Sequence, residues 1–195
     1  MYLYNVFKKV IFKQALVETG EKMSEITYLH HYNSLLGEIT MSSDGSALTG
    51  LWFEEQKYFM ADVRGEKEEK DLPVFEMTDR WLDIYFSGKC PDFTPDIKLT
   101  GTAFRQAVGK IMLQIPYGST TTYGEIARQI AVQRGVKTMS SQAVGGAVGH
   151  NPISIIVPCH RVIGANGSLT GYAGGIDKKI KLLELEGNDR KKFKE

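Results

Sequence analysis

The run Asn151-Pro152-Ile153-Ser154-Ile155-Ile156-Val157-Pro158-Cys159-His160-Arg161-Val162 constrains this chain more than any other segment. Its apolar, β-branched character predicts a buried strand in the interior of the fold. Pro158 cannot donate to a sheet ladder, so regular pairing is expected to end there. Cys159 then falls where a buried strand meets a loop, in a fixed position. A cysteine in an apolar strand ordinarily behaves as a small hydrophobe. Here its next neighbours are His160 and Arg161, a base and a permanent cation, and both favour the nucleophilic thiolate. Successive side chains of a strand face opposite ways, so a Cys159–His160 contact needs a break in the strand or a bridging water. A histidine base also needs a third group to orient it, and spacing alone does not name that group.

The chain upstream supplies a frame for this segment. From Ile26 to Phe53, β-prone runs separated by Leu35-Leu36-Gly37 and Asp44-Gly45 predict an antiparallel hairpin or meander. Residues 65–71 (GEKEEKD) read as a charged, solvated connection. Pro73 opens a helix that Gly88 stops, and residues 90–95 read as a linker. The second half is mainly helical. Thr102 is a plausible N-cap for a helix that Pro116 stops, Thr122 and Glu125 stand at capping-box spacing, and Ser140 or Ser141 caps a short helix ended by Gly149. The last two helices form a candidate helix-turn-helix. Ala143, Gly145, Gly146 and Ala147 make the second of them unusually small, at a cost of about 1 kcal/mol in helix propensity per glycine. Close helix packing and close approach to a partner both explain that choice.

Charge is split unevenly along the chain. Residues 1–96 hold 10 Lys+Arg against 17 Asp+Glu, and residues 97–195 hold 14 against 6. A basic second half can follow a phosphate backbone, whereas the acidic first half cannot. The two cysteines, Cys90 and Cys159, do not make a disulfide framework or a cysteine zinc site, and reduced thiols suit the cytosol. No run of about 18 apolar residues predicts a membrane span. Lys8, Lys9 and Lys13 interrupt any signal-peptide core, so a cytoplasmic address is expected. Residues 1–22 read as an extension, with a short amphipathic helix as one form of it. His30, His31 and His150 read as surface or structural, because paired histidines on a strand face opposite ways.

The segments VGGAVGHNPISIIVPCHRVIG and GSLTGYAGGIDKKIKLLELEG together resemble the active-site region of O6-alkylguanine-DNA alkyltransferases. The resemblance extends back through TAFRQAVGKIMLQIPYGSTTTYGEIA and covers about residues 100–187 closely, while the acidic half is similar only loosely. It implies an α/β (α+β) protein. A small antiparallel-sheet, ribonuclease-H-like domain over residues 23–96 would precede a helical, winged helix-turn-helix domain over 97–188, with a charged tail from 189. It implies further that Cys159 accepts the alkyl group. His160 draws off the thiol proton through a water, Glu186 polarises His160, and Asn151 orders the active-site loop. Tyr123, Gln142, Ala143, Gly145, Gly146, Arg161, Tyr172, Ala173, Gly174 and Lys179 are assigned to the base pocket and the DNA contact. The implied partner is double-stranded DNA bearing O6-alkylguanine, entered through the minor groove with the damaged base flipped out. No metal or organic cofactor is implied, since the cysteine is itself the consumed reagent, and a monomer is expected.

Two positions depart from the pattern. Gln142 stands where many members of the family carry an arginine that fills the gap left by the flipped base, and Ala173 stands where some carry serine. Three other readings remain for the sequence: an alkylation-damage sensor that lacks transfer, a helix-turn-helix regulator with an acidic partner-binding half, and a cysteine hydrolase. The first is at odds with Cys159 and the second leaves His160 and Glu186 without a use. The third requires a nucleophile and base that are adjacent in the chain, which is the wrong topology for that pair.

Overall fold

The computed structural model describes residues 26–194, so the expected helix in residues 1–22 lies outside the described residues. Three strands, β1 (Ile26–Ser34), β2 (Gly37–Ser43) and β3 (Leu48–Phe53), form the meander that the turn residues predict. β1 and β2 pair antiparallel from Tyr28–Ser43 to Ser34–Gly37, and β2 pairs antiparallel with β3. The charged connection is a correction to the sequence reading. Residues Glu66–Glu69 form β4, which pairs parallel with the other edge of β1 and makes the sheet β3-β2-β1-β4. All four residues of β4 are exposed, so nothing in their hydropathy marks a strand; only backbone pairing makes one. Their charges protect the sheet edge from pairing with another chain.

Helix α1 (Pro73–Phe86) covers this sheet. Pro73 at its start has no N–H to orphan, and Ser87 closes its end. Val74, Phe75, Thr78, Trp81, Leu82, Tyr85 and Phe86 form its buried face. Phe75 stacks on His30 at 5.2 Å and Phe86 on Tyr32 at 6.3 Å, which seats the helix on β1.

In the second half the caps fall as the sequence predicts. The Thr102 side chain caps α2 (Ala103–Met112), and Thr122 with Glu125 completes a capping box on α3 (Tyr123–Gln133). Of the two candidate serines, Ser140 caps α4 (Ser141–Gly149). α3 and α4 are the helix-turn-helix. β5 (Thr121–Thr122) and β6 (Val162–Ile163) pair in parallel, and α5 (Ile176–Leu185) closes the domain. The architecture is therefore α+β, with the four-stranded sheet and α1 in the first half, and α2 to α5 with the short β5–β6 pair in the second.

The Cys159-bearing segment is buried as expected, but it is not a strand. Only Ile153 bridges to Leu51 of β3, through Leu51 N to Pro152 O and Ser154 N to Leu51 O, both 2.8 Å. Beyond it the chain turns on itself: Val157 N donates to Ile153 O and Cys159 N to Val157 O. Ile155 adopts φ 67°, a region that β-branched residues rarely enter. Pro152 and Pro158 remove two ladder donors, so local turns satisfy the backbone where a sheet could not. The bridge at Leu51 joins the two halves, and one apolar core runs through Leu51, Tyr85, Val108 and Ile153. The charged tail is also anchored. Phe193 packs with Ile163, Leu169 and Leu183, while Lys194 exchanges backbone hydrogen bonds with Gly167 and Leu169.

Candidate active site

Cys159 opens a 3₁₀ turn, Cys159–Arg161, and is 3% exposed. The turn supplies a break in extended geometry, but no side-chain hydrogen bond joins Cys159 to His160 among the described residues, which leaves the bridging water as the link. Asn151 fixes the turn in place. Its amide Nδ2 donates to Val157 O at 2.8 Å, Cys159 Sγ at 3.0 Å and Ile153 O at 3.1 Å, while Oδ1 accepts from Ile153 N. One buried side chain thus ties both ends of the loop and touches the sulfur. Burial pushes the Cys159 thiol up, and the Asn151 amide and the Lys179 charge pull it back towards thiolate.

His160 is fully buried, with Nε2 at 2.8 Å from Glu186 Oε1. A carboxylate can only accept, so this contact sets the Nε2–H tautomer and leaves the lone pair on Nδ1. Nδ1 has no hydrogen-bond partner among the described residues. Burial lowers the His160 pKa, against the pull of Glu186, which favours the neutral ring.

Glu186 follows α5 and is 5% exposed. Burial works to raise its carboxyl, but the hydrogen bonds and charges of His160 and Arg161 outweigh it and hold it down at about 2. Arg161 lies at 2.9 Å from Glu186 through both Nε and Nη2, and its Nη1 donates to Ile115 O at 2.7 Å. This corrects the sequence reading, which assigns Arg161 to the DNA contact. The guanidinium is enclosed with its donors engaged by protein, and it holds Glu186 in place.

Lys179 is likewise fully buried. Its Nζ donates to Val162 O at 2.6 Å and Thr170 O at 3.3 Å, and burial lowers its pKa to about 8 against the opposing charge of Cys159. Tyr123 Oη donates to the same Thr170 carbonyl at 2.9 Å. These two side chains secure the loop that carries Tyr172 and Ala173.

That loop forms one wall of a cleft of about 540 Å³. Tyr123, Gln142, Gly145, Gly146, Tyr172 and Ala173 line it, as the sequence assigns. Ala143 and Gly174 do not. Ala143 is exposed on α4, and Gly174 sits against Tyr172, where a Cβ would lie 2.8 Å from the ring. Cys159 is also not on the cleft wall, but it lies close enough to Tyr123, Tyr172 and Lys179 for its charge to act on each.

The structure adds residues that sequence reasoning missed. Lys57 and Tyr58, from the loop after β3, complete the cleft, and His150 stacks on Tyr58 at 3.8 Å. His150 is therefore part of the cleft wall, with Nδ1 at 2.7 Å from Gly146 O. Tyr85 of α1 donates to Glu186 Oε1 at 2.8 Å. Among the described residues no group of His, Cys, Asp and Glu is placed to hold a metal ion. No helix there is long and apolar enough to cross a membrane.

Comparison with known proteins gives the arrangement a context. Residues 103–188 match the family model described as 6-O-methylguanine DNA methyltransferase, DNA binding domain. Residues 27–99 match the ribonuclease-like domain of the same family. A methylated-DNA–protein-cysteine methyltransferase of Mycobacterium tuberculosis is 46% identical over 159 residues, covering 80% of this chain and 92% of that protein. One from Haemophilus influenzae is 41% identical over 160 residues, covering 82% and 86%. The crystal structure of Mycobacterium tuberculosis OGT in complex with DNA superposes with a TM-score of 0.71 at 43% identity, over 86% of this chain and 94% of that one.

Proposed function

The chain belongs to the 6-O-methylguanine DNA methyltransferase family, and from that premise we propose that it repairs DNA by moving an alkyl group from O6 of guanine onto Cys159. One observation carries the assignment to this residue. Cys159 is held 3.0 Å from Asn151 in a turn whose next residue, His160, lies 2.8 Å from a buried carboxylate.

The reaction is a displacement at the alkyl carbon. His160 Nδ1 takes the thiol proton through a water, and Glu186 stabilises the imidazolium that forms. The sulfur attacks the alkyl carbon in line with the C–O6 bond, the S–C bond forms as the C–O6 bond breaks, and guanine leaves with the bonding pair as its O6 anion or with a proton supplied to N3. The thioether product is stable, so each molecule acts once.

DNA is bound through the helix-turn-helix in the minor groove, with the damaged base turned out into the cleft. Extrusion is required because O6 is out of reach within a stacked duplex. Tyr172 and Ala173 on one side and the glycines of α4 on the other are suited to a flat base. Gly146 has nothing within 4 Å of a Cβ position, which leaves its backbone open to close approach. Gln142 is exposed at the start of α4, where a side chain can reach into the stack.

Glutamine there lacks the guanidinium's charge and stacking plane. Gln142→Arg is therefore expected to tighten binding to an O6-methylguanine duplex by ~1–2 kcal/mol, the scale of a charge-assisted hydrogen bond. Titration of a labelled duplex at fixed salt checks this, and unchanged affinity refutes a gap-filling role for position 142. The function itself is tested by counting. The protein should remove O6-methylguanine from a duplex until one lesion per molecule is gone and then stop, and continued turnover would overturn the proposal.

A further inference from the structure

Glu186 serves more donors than the proton relay needs. Its Oε1 accepts from Tyr85 Oη at 2.8 Å, His160 Nε2 at 2.8 Å and Arg161 Nη2 at 2.9 Å. Its Oε2 accepts from Arg161 Nε at 2.9 Å and Gly118 N at 3.1 Å. A carboxylate offers about four lone-pair sites, so these donors fill it. Arg161 Nε also reaches Oε1 at 3.1 Å, and five of these six bonds come from the region matched by the DNA-binding family domain. The sixth comes from Tyr85 on α1, in the ribonuclease-like region and 101 residues away in sequence.

Tyr85 is completely buried, stacked on Trp81 at 5.2 Å and edge-on to His160 at 6.4 Å. Packing alone would be served by phenylalanine, as it is next door at Phe86, because a buried hydroxyl costs free energy unless it is partnered. The partner it has is the relay carboxylate, and its oxygen also lies 3.4 Å from His160 Nε2.

We propose that Tyr85 is a positioning residue for alkyl transfer, through which the N-terminal half fixes Glu186 and thereby selects the His160 nitrogen that receives the thiol proton. This rests on the alkyl-transfer reading of the site. Two consequences follow from the geometry. Tyr85 anchors Oε1 on the Nε2 side of the ring, which keeps the proton on Nε2 and the lone pair on Nδ1. Its donation also drains negative charge from Oε1, so Glu186 holds a proton on His160 less tightly. The other groups facing the ring are Arg161 and Lys179, both of which disfavour imidazolium, and the neighbouring Cys159 thiol. None of these is altered when the Tyr85 hydroxyl is removed.

The test uses the full-length protein and its Tyr85→Phe variant. Nitrogen-15 NMR of His160 should show the Nε2–H tautomer in the wild type. In Tyr85→Phe the imidazole should titrate at higher pH, and single-turnover transfer at neutral pH should still fall about tenfold, one hydrogen bond to a charged group, because the loss of the fixed Nδ1 acceptor outweighs the gain in basicity. Duplex affinity should not change. Trp81→Phe disturbs the same packing while keeping the hydroxyl, and should lower stability without moving the His160 titration. In a Glu186→Gln background the effect of Tyr85→Phe on the rate should vanish. A wild-type Nδ1–H tautomer overturns the proposal, as does a Tyr85→Phe protein with unaltered His160 titration, whatever its stability. A wild type that transfers no alkyl group sinks the functional reading instead, and the NMR titration still reports on Tyr85.

Discussion

Glu186→Gln is expected to destabilise this protein by about 3–5 kcal/mol and to slow alkyl transfer by roughly a hundredfold. The stability loss comes from Arg161. Its guanidinium is buried and bound to Glu186 through Nε and Nη2, and a neutral amide leaves that charge uncompensated. The rate loss comes from His160, whose Nε2–H would face a partner with no charge to stabilise the imidazolium. The pH dependence has a definite sign. The Glu186 pKa falls from 4.5 to about 2 on folding, so its stabilisation is fully present above pH 4.5 and is lost as pH falls towards 2. Urea denaturation at neutral pH and through that acid window checks both parts. A glutamine variant of wild-type stability, or one with the same loss of stability in acid, would show that the carboxylate does not anchor this region.

The second large effect is expected at Asn151. Asn151→Ala removes the donor to Val157 O, Ile153 O and Cys159 Sγ and the acceptor for Ile153 N, all in a buried loop. Leaving buried groups unpaired should cost about 2–4 kcal/mol. The Asn151 amide also pulls the Cys159 thiol towards thiolate, against burial. Its removal raises the thiol pKa further, so the curve of transfer rate against pH should move to higher pH. Single-turnover rates across a pH series measure this directly. A stability loss with an unmoved rate profile would leave Asn151 as a loop tie with no influence on the sulfur.

Much of this protein is legible in its sequence because the signals are local. Thr102, Thr122 with Glu125, and Ser140 each satisfy helix-end donors within a few residues, so the caps can be read without knowing the fold. The resemblance around Cys159 likewise names the family that the relatives bear out. That membership replaces the regulator and hydrolase readings. The parts that were not legible depend on distant partners. The run before Cys159 has strand composition, yet two prolines and the Asn151 side chain fold it into turns. β4 is visible only through its backbone pairing with β1. Arg161 could face DNA or Glu186, and sequence spacing does not distinguish the two. Tyr85 carries no local signal at all, since its partner is 101 residues away.

On the proposed function, Cys159 is consumed by the group it removes. The direct measurement is peptide-level mass spectrometry of the intact protein after incubation with a duplex carrying one O6-methylguanine. A single added methyl on the Cys159 peptide is predicted, saturating at one per chain and absent from Cys159→Ser, with Cys90 unmodified. A folded protein that binds the duplex and leaves Cys159 unmodified would contradict it, and would make this chain a reader of alkylation damage that does not repair it.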